Sequence, residues 1–503
     1  MDRTVDIRIV SDSAKQSPYT LWNLPSEILD SERSEAMARL IDSEYGGTAL
    51  IADPIHKYIQ FTVPEKKGEV TEKALIDSPW VQRLRYIYQL QSARWVYPAA
   101  EHSRFQHSLG AMHMAGEFAK HLYPSLRKVV GEECPSAPFI EEYMRVVGLL
   151  HDIGHGPFGH FFDDNFLQHY GLTHEDLGQT IIQKHLGDTI RQLRRSPSGP
   201  FAAGEELRPE DIAFPIKKNG KEDNRKAKWV RFLQPLTGGI FTFDNLDYVS
   251  RDSYMCGVHP GPVDRDRLMH YTFFTPKGLT VHKAGNNALT TFLNARLYLY
   301  TNVYYHRTTR AIDLHLRDIF PETMKLLFPG NPLDHMEEYL YLTDWSLLEE
   351  VSRWRRAKSE REGLGKEWET VLHREVKWKM AYDRTLSLNE LHYGVDLIQD
   401  TDWEKRIRAK LPASLRDLVF RVDMATQDPR PENPFAMGKK QIHIYDPSSG
   451  EITKESLAEL FEFIPSKIVQ FRVFALDHEQ DQLLSEVAES ALKGRSPAIK
   501  TSV

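Results

Sequence analysis

Two cysteines in 503 residues, Cys134 and Cys256, are too few for a disulfide framework or a thiolate zinc site, so they read as buried thiols. No apolar run approaches the ~18 residues of a membrane span, and the start, MDRTVDIRIVSD, lacks the basic-then-apolar layout of a signal peptide. A cytoplasmic chain with no membrane partner is the expectation. A net charge of -7 and a pI near 6.3 argue against a generally basic surface, so nucleic acid is not indicated as a partner. The densest basic cluster, KKNGKEDNRKAKWVR from Lys217 to Arg231, is interrupted by Gly220 and by acidic residues and reads as a solvated loop. Internal repeats and low-complexity tracts are also missing.

What is present is an ordinary globular composition, 41% hydrophobic and 27% charged. The length implies two or more domains, because single cores stop growing at roughly 250 to 300 residues. We divide the chain into an N-terminal extension (1–48), a helical core (49–330) and a C-terminal helical and α+β region (331–503), a mainly α protein. Pro79 opens a helix whose face is Val81, Leu84, Ile87 and Tyr88, and HSLGAMHMAGEFAKHLY repeats the pattern. EEYMRVVGLL is apolar on most sides, a buried helix ending near Gly154, Gly156 and Pro157. Thr173 caps THEDLGQTIIQKHL, with an acid three residues on. Strand alternation is confined to short pieces such as YIQFTV, KGLTVHKA, QIHIYD and IVQFRVFAL. The charged, Trp-rich stretch from Ser352 to Met380 reads as an exposed helix pair.

Chemistry concentrates in VVGLLHDIGHGPFGHFFDD, Val146 to Asp164, where an apolar run stops and three histidines and three aspartates follow. His151 and Asp152 both reach one point only where that point straddles the end of the buried helix. A metal ion fits that description, since imidazole and carboxylate together suit iron, manganese or zinc. His107 in RFQHSLG and Asp244 in FDNLDYVSRDSYMCG complete two nitrogens and two carboxylates from three helices. Such a set leaves coordination positions for water and substrate. His155, His160, Asp163, His174 and Glu175 follow as candidate nucleophile, general acid and tautomer-fixing groups, or as residues that bond backbone carbonyls in a Gly-rich turn. Asp244, Tyr248 and Asp252 recur at i, i+4 and i+8, a stripe in which a ring stacks on a sugar and an acid bonds its hydroxyl.

These motifs, with ADPIHKYIQF and LIDSPWVQRLRYIYQLQSARWVYPAAEHSRFQHS upstream and VYYHRTTRAIDLHL downstream, resemble the HD-domain phosphohydrolase signature. Within that superfamily they resemble the deoxynucleoside triphosphate triphosphohydrolases, including the animal enzyme with a sterile-alpha-motif domain and its bacterial relatives. The resemblance implies a divalent metal (Fe, Mn or Zn) on His107, His151, Asp152 and Asp244, with Mg or Mn accompanying the substrate phosphates. It implies catalytic and phosphate-contacting roles, with their orienting acids, for His155, His160, Asp163, His174 and Glu175, and a phosphate-binding role for Arg104. Gln89, Leu90, Tyr248 and Asp252 match a deoxyribose pocket. The implied reaction is attack at the α-phosphorus of a dNTP, releasing deoxynucleoside and tripolyphosphate. Two positions depart from the pattern: Asn245 stands where the family enzyme has a lysine and Thr301 where it has an arginine, and Arg307 and Arg310 are the candidates to compensate. Asp77, Gln82 and Arg85 match positions that hold a GTP or dNTP effector between subunits of a homo-oligomer, dimer or tetramer; Asp77 with Pro79 also makes a helix entry and Arg85 an exposed ion-pair partner. Two alternatives stay open: an HD-domain phosphohydrolase acting on a monophosphate, ribonucleotide or cyclic dinucleotide, and a low-turnover nucleotide or nucleic-acid binding module.

Overall fold

A computed structural model describes residues 46–217, 226–355, 361–387, 402–428, 442–454, 461–462, 464–465 and 467–493. Most of the N-terminal extension, residues 1–45, and the middle of the basic cluster, 218–225, lie outside the described residues. Met1–Thr48 and Ala49–Val503 are separate structural units, and the helical centre lies in the second. Among the described residues no helix is long and apolar enough to cross a membrane.

The protein is mainly α. After a hairpin of β1 (Thr48–Asp53) and β2 (Lys57–Thr62) come two short helices, α1 (Glu72–Ile76) and α2 (Pro79–Arg83). Pro79 stands in the first turn of α2 and the Ser78 side chain accepts the Val81 N–H, as the sequence suggests. The helix nevertheless ends at Arg83 rather than running to Tyr88. Ile87 is extended, its carbonyl accepts the Arg104 N–H, and the Gln89 N–H bonds the His102 carbonyl. Those long-range bonds replace the helical ones, while Val81, Leu84 and Ile87 still reach the core.

α3 (Arg104–Val130) and α4 (Ala137–Leu150) form the centre of the fold. α4 is buried from Phe139 onward, apolar on most sides and with Arg145 of its charged stripe paired to Glu72 at 2.5 Å, and it stops at Leu150 so that His151 is its C-cap. Then come α5 (His160–Asn165) and α6 (His174–Thr180), the latter begun by Thr173, whose N–H bonds the Asp176 carboxylate at 3.1 Å. α7 (Phe243–Cys256) crosses α3 and carries the aspartate stripe. β3 (Thr272–Thr275) and β4 (Gly278–His282) precede α8 (Asn286–Leu299) and α9 (Arg307–Leu327).

Beyond residue 330, α10 (Met336–Tyr341), α11 (Asp344–Trp354) and α12 (Glu362–Leu372) pack on the helical centre. The stretch from Ser352 to Met380 is not the exposed helix pair expected: it holds the end of α11, all of α12 and the segment leading into a strand that starts at Lys379. Trp354 and Trp368 are buried because each helix turns one apolar stripe inward and its charges outward, and Trp378, in the segment between α12 and the next strand, is buried as well. β5 (Lys379–Ser387), β6 (Phe420–Gln427) and β9 (Ile468–Ala475) form an antiparallel sheet in the order β5-β9-β6, covered by α13 (Trp403–Lys410) and α14 (Asp481–Lys493). β7 (His443–Asp446) and β8 (Glu451–Thr453) extend the β3-β4 hairpin, β7 pairing in parallel with β4. Cys134 and Cys256 are free; Cys134 is buried and Cys256 partly so, and burial pushes the Cys256 thiol up to about 12.

Candidate metal centre and nucleotide cleft

The three helices α3, α4 and α7 bring His107, His151, Asp152 and Asp244 to one point. His107 Nε2 lies 3.2 Å from His151 Nε2 and 3.2 Å from Asp244 Oδ1. His151 Nε2 is 3.4 Å from Asp152 Oδ1 and 3.6 Å from Asp244 Oδ1. The other ring nitrogens are already committed: His107 Nδ1 donates to Asp247 Oδ2 at 2.8 Å and His151 Nδ1 to the Gly148 carbonyl at 2.8 Å. In neutral rings both Nε2 atoms therefore present lone pairs to each other and to two carboxylates. Two facing lone pairs repel unless a proton or a metal cation lies between them, and with two carboxylates beside them this donor set fits a divalent ion. Burial opposes charge on Asp152 and Asp244, yet the surrounding histidines, with Arg104 for Asp152, hold both carboxyls well below the usual range. Burial likewise opposes charge on His107, but hydrogen bonds to Asp244 and Asp247 raise it to about 10. The site attracts positive charge from three sides.

Behind His107 stands a network to which the sequence motifs do not point. Asp247 Oδ1 bonds His56 Nε2 at 2.6 Å, and Arg251 bonds Asp247 (Nε to Oδ2, 2.8 Å) and Asp53 (Nη1 to Oδ2, 2.8 Å). Asp247 and Arg251 are fully buried, and a Cβ at Gly110 would fall 2.0 Å from Asp247 Oδ1, so only glycine lets α3 approach α7 this closely. Asp244, Asp247 and Arg251 recur at i, i+3 and i+7, a spacing on which Asp247 is discoverable. Such a carboxylate fixes the ring orientation of a ligand histidine. Asp247→Asn is expected to weaken divalent-metal affinity by about 10- to 100-fold, measured by calorimetric titration of the metal-free protein.

A second group sits beside the first. Asp163 Oδ2 accepts a short hydrogen bond from His174 Nδ1 and lies 3.5 Å from His160 Nδ1. His155 stacks on His174 with ring centres 3.6 Å apart, and its Nε2 is 3.4 Å from Asp152 Oδ1. Burial, with Arg104 and His174 nearby, holds His155 well below the ordinary histidine range, so it is a neutral ring. Burial works against Asp163 as an anion, but His160 and His174 bond it and keep it ionised. Glu175 does not join this group; with His174, His151 and Asp244 it lines a small neighbouring cavity.

A cleft of about 640 Å³ opens over both groups. Its walls include Asp152, His160, His174 and Asp244, and also Gln89, Leu90, Arg104, Tyr248, Asp252 and Arg310. Asp252 takes His102 Nε2 at 2.9 Å on one oxygen and the Tyr304 hydroxyl at 2.6 Å on the other. Arg104 Nη1 donates to Asp152 Oδ2 at 2.6 Å. Arg307 is exposed and outside the cleft lining, and Arg310 is locked to Asp423 by two bonds of 2.9 and 2.6 Å. Two further cations line the cleft that no motif singles out: Arg296, which bonds the Tyr248 hydroxyl at 3.1 Å, and Arg317. Asn245 is buried in the cap of α7, bonded to Thr242, and the Thr301 hydroxyl bonds the carbonyls of Leu297 and Tyr298. Of the three effector candidates, Asp77 caps the end of α1, Gln82 lies in α2 and Arg85 in the turn just after it. Asp77 pairs with Lys73, Gln82 accepts from Arg85 at 2.7 Å, and the Arg85 guanidinium lies 3.7 Å over the Phe105 ring.

Residues 104–224 match the HD domain family model, which spans α3 to α6 and so holds His107, the His151-Asp152 pair and the downstream histidines. The chain is similar to an uncharacterized protein, YwfO, of Bacillus subtilis (30% identical over 58% of this chain and 59% of that one). It is similar also to the deoxynucleoside triphosphate triphosphohydrolase SAMHD1 homolog of Dictyostelium discoideum (27%, over 62% and 56%) and to the human SAMHD1 enzyme (27%, over 62% and 52%). The chain thus spans somewhat over half the length of these curated relatives. Among solved structures, a hypothetical protein from Aquifex aeolicus superposes with a TM-score of 0.62 at 24% identity, over 88% of this chain and all of its own. A Bacteroides thetaiotaomicron phosphohydrolase gives 0.61 at 22%, over 86% and 100%; both likenesses show the fold. The HD-domain match over residues 104–224 and the His/His/Asp/Asp cluster give this chain a resemblance to the HD-domain phosphohydrolase superfamily. Within it, the chain resembles the deoxynucleoside triphosphate triphosphohydrolases.

Proposed function

We propose that this protein is a metal-dependent dNTP triphosphohydrolase, cleaving dNTP to deoxynucleoside and tripolyphosphate. The observation that carries this reading is that one cleft joins the cation site at Asp152 and Asp244 to the Tyr248, Asp252 and Tyr304 wall, with Arg104, Arg296 and Arg317 along it. His107, His151, Asp152 and Asp244 would hold a divalent metal, which when bound would lower the pKa of a water and offset charge at phosphate. His160, exposed to the cleft and set by Asp163, delivers a proton to the leaving oxygen, while His174, fixed by the same carboxylate, orders the phosphate and neutral His155, buried behind it, holds the His174 ring by stacking. Arg104 and Arg296 balance triphosphate charge. Asp252 keeps a free lone pair on each oxygen and accepts the sugar 3'-hydroxyl, and the Tyr248 ring closes on the sugar face. An effector nucleotide on Asp77, Gln82 and Arg85, shared between copies of a homo-oligomer, regulates the site in this reading.

Asn245 and Thr301 favour a second reading, because both are spent on backbone hydrogen bonds and leave fewer cations for a triphosphate. In that case the same metal site serves a nucleoside monophosphate, a ribonucleotide or a cyclic dinucleotide. Incubation with each dNTP and rNTP in manganese or magnesium, with and without GTP, followed by ion-exchange separation, distinguishes them. Intact tripolyphosphate with deoxynucleoside supports the first reading; unchanged triphosphates under every condition overturn it.

A further inference from the structure

A buried carboxylate outside the cleft ties together two of its edges. Asp344, the first residue of α11, is 1% exposed. Its Oδ1 accepts the Phe158 N–H at 2.9 Å and its Oδ2 the Tyr88 N–H at 2.9 Å. Phe158 lies two residues before His160, and Tyr88 immediately precedes Gln89 and Leu90 of the cleft wall. Asp344 gives both oxygens to distant backbone, while Thr343 and Ser346 cap α11 through reciprocal bonds of 2.9 and 3.1 Å. Keeping a charge there is costly: burial pushes the Asp344 carboxyl up to about 6 in spite of the two N–H donors.

Arg83 acts on the same loop. Its guanidinium donates to the carbonyls of His155 (2.6 Å), Leu342 (2.8 Å) and Tyr339 (3.1 Å), and the Tyr339 hydroxyl donates to the Gly154 carbonyl at 2.8 Å. The loop needs such support. Phe158 has φ +60° and Gly159 φ +54°, a left-handed turn that phenylalanine does not hold unaided. Neither ring nitrogen of His155 makes a well-formed hydrogen bond, its nearest polar neighbour being Asp152 Oδ1 at 3.4 Å from Nε2, so its ring is placed chiefly by its backbone and by stacking on His174.

We infer that Asp344 and Arg83 are positioning residues: a buried clamp that sets the loop from Gly154 to His160 against the Gln89 and Leu90 edge, and thereby aims His155 and His160. The inference rests on the phosphohydrolase reading of those histidines. It assigns a segment beyond residue 330 to the working of the HD-domain site.

The test compares Asp344→Asn with Ser346→Ala. The asparagine keeps one acceptor but turns an N–H toward one of the two backbone donors; the alanine loosens the cap of the same helix without touching the loop. With Asp344→Asn, kcat is expected to fall about 100-fold, as for a misplaced catalytic group, with KM and bound metal unchanged. Ser346→Ala is expected to lower the melting temperature and leave kcat alone. Hydrogen exchange read by mass spectrometry should show faster exchange at 154–160 and 87–90 in Asp344→Asn only. If the wild type turns over no dNTP, the functional reading fails, and the exchange comparison still decides the clamp. Should Asp344→Asn not fold, Arg83→Lys, which keeps the charge but cannot serve three carbonyls, is expected to give the same kcat loss. Wild-type kcat and exchange in the folded variant, or losses of kcat that track melting temperature in both α11 variants, would overturn the inference.

Discussion

Replacing His151 by alanine is expected to remove bound metal and to lower hydrolysis by at least ~10³-fold, since metal activation is worth several kcal/mol and each ~1.4 kcal/mol is a factor of ten. His151 is the C-cap of α4, and its ring is aimed by the bond from Nδ1 to the Gly148 carbonyl one turn back. Without it, His107, Asp152 and Asp244 would have to bind the ion with two carboxylates and one nitrogen. The fold should survive, because His151 is only partly buried and lines the small cavity beside the cleft, so its loss leaves no apolar cavity in the core. Elemental analysis of the purified variant, beside a circular-dichroism melt, checks both halves of the expectation. A folded variant that retains stoichiometric metal and full activity would remove His151 from the centre.

His160→Ala should behave differently. It is expected to lose about 10² to 10⁴ in kcat, the span of a general acid, with metal content intact. The reason is its position: the ring is largely exposed to the cleft, stands edge-on to His155 with ring centres 4.8 Å apart, and shares Asp163 with His174. It carries no core packing, so stability should change little. Single-turnover rates at saturating metal give the measurement. A variant with unchanged rate would shift proton delivery to His174.

Legibility in the sequence follows locality. The motif around His151 is readable because a buried helix and its terminal ligands are contiguous, and a helix apolar on most sides belongs in the core. Asp244 is legible by spacing on its own helix. Asp247 is visible in the spacing of its helix, but its role is not, because its partners, His107 and His56, come from elements 140 and 191 residues away. Asp344 reads as the start of one more capped helix; nothing nearby in sequence reveals that its oxygens bond residues 186 and 256 positions earlier. The expected helix past Arg83 does not form for a related reason: Ile87 keeps its apolar register, but its backbone finds partners in the segment before α3. The parallel pairing of β4 with β7 is likewise a long-range fact, invisible in either strand's alternation.

The central claim is that His107, His151, Asp152 and Asp244 hold one divalent ion. Crystals grown with manganese and measured at its absorption edge test it directly. The account predicts an anomalous peak between the two Nε2 atoms, within about 2.3 Å of each, with Asp152 and Asp244 oxygens completing the shell. Anomalous density only elsewhere, with the two rings still facing each other across an ion-free gap, would contradict it.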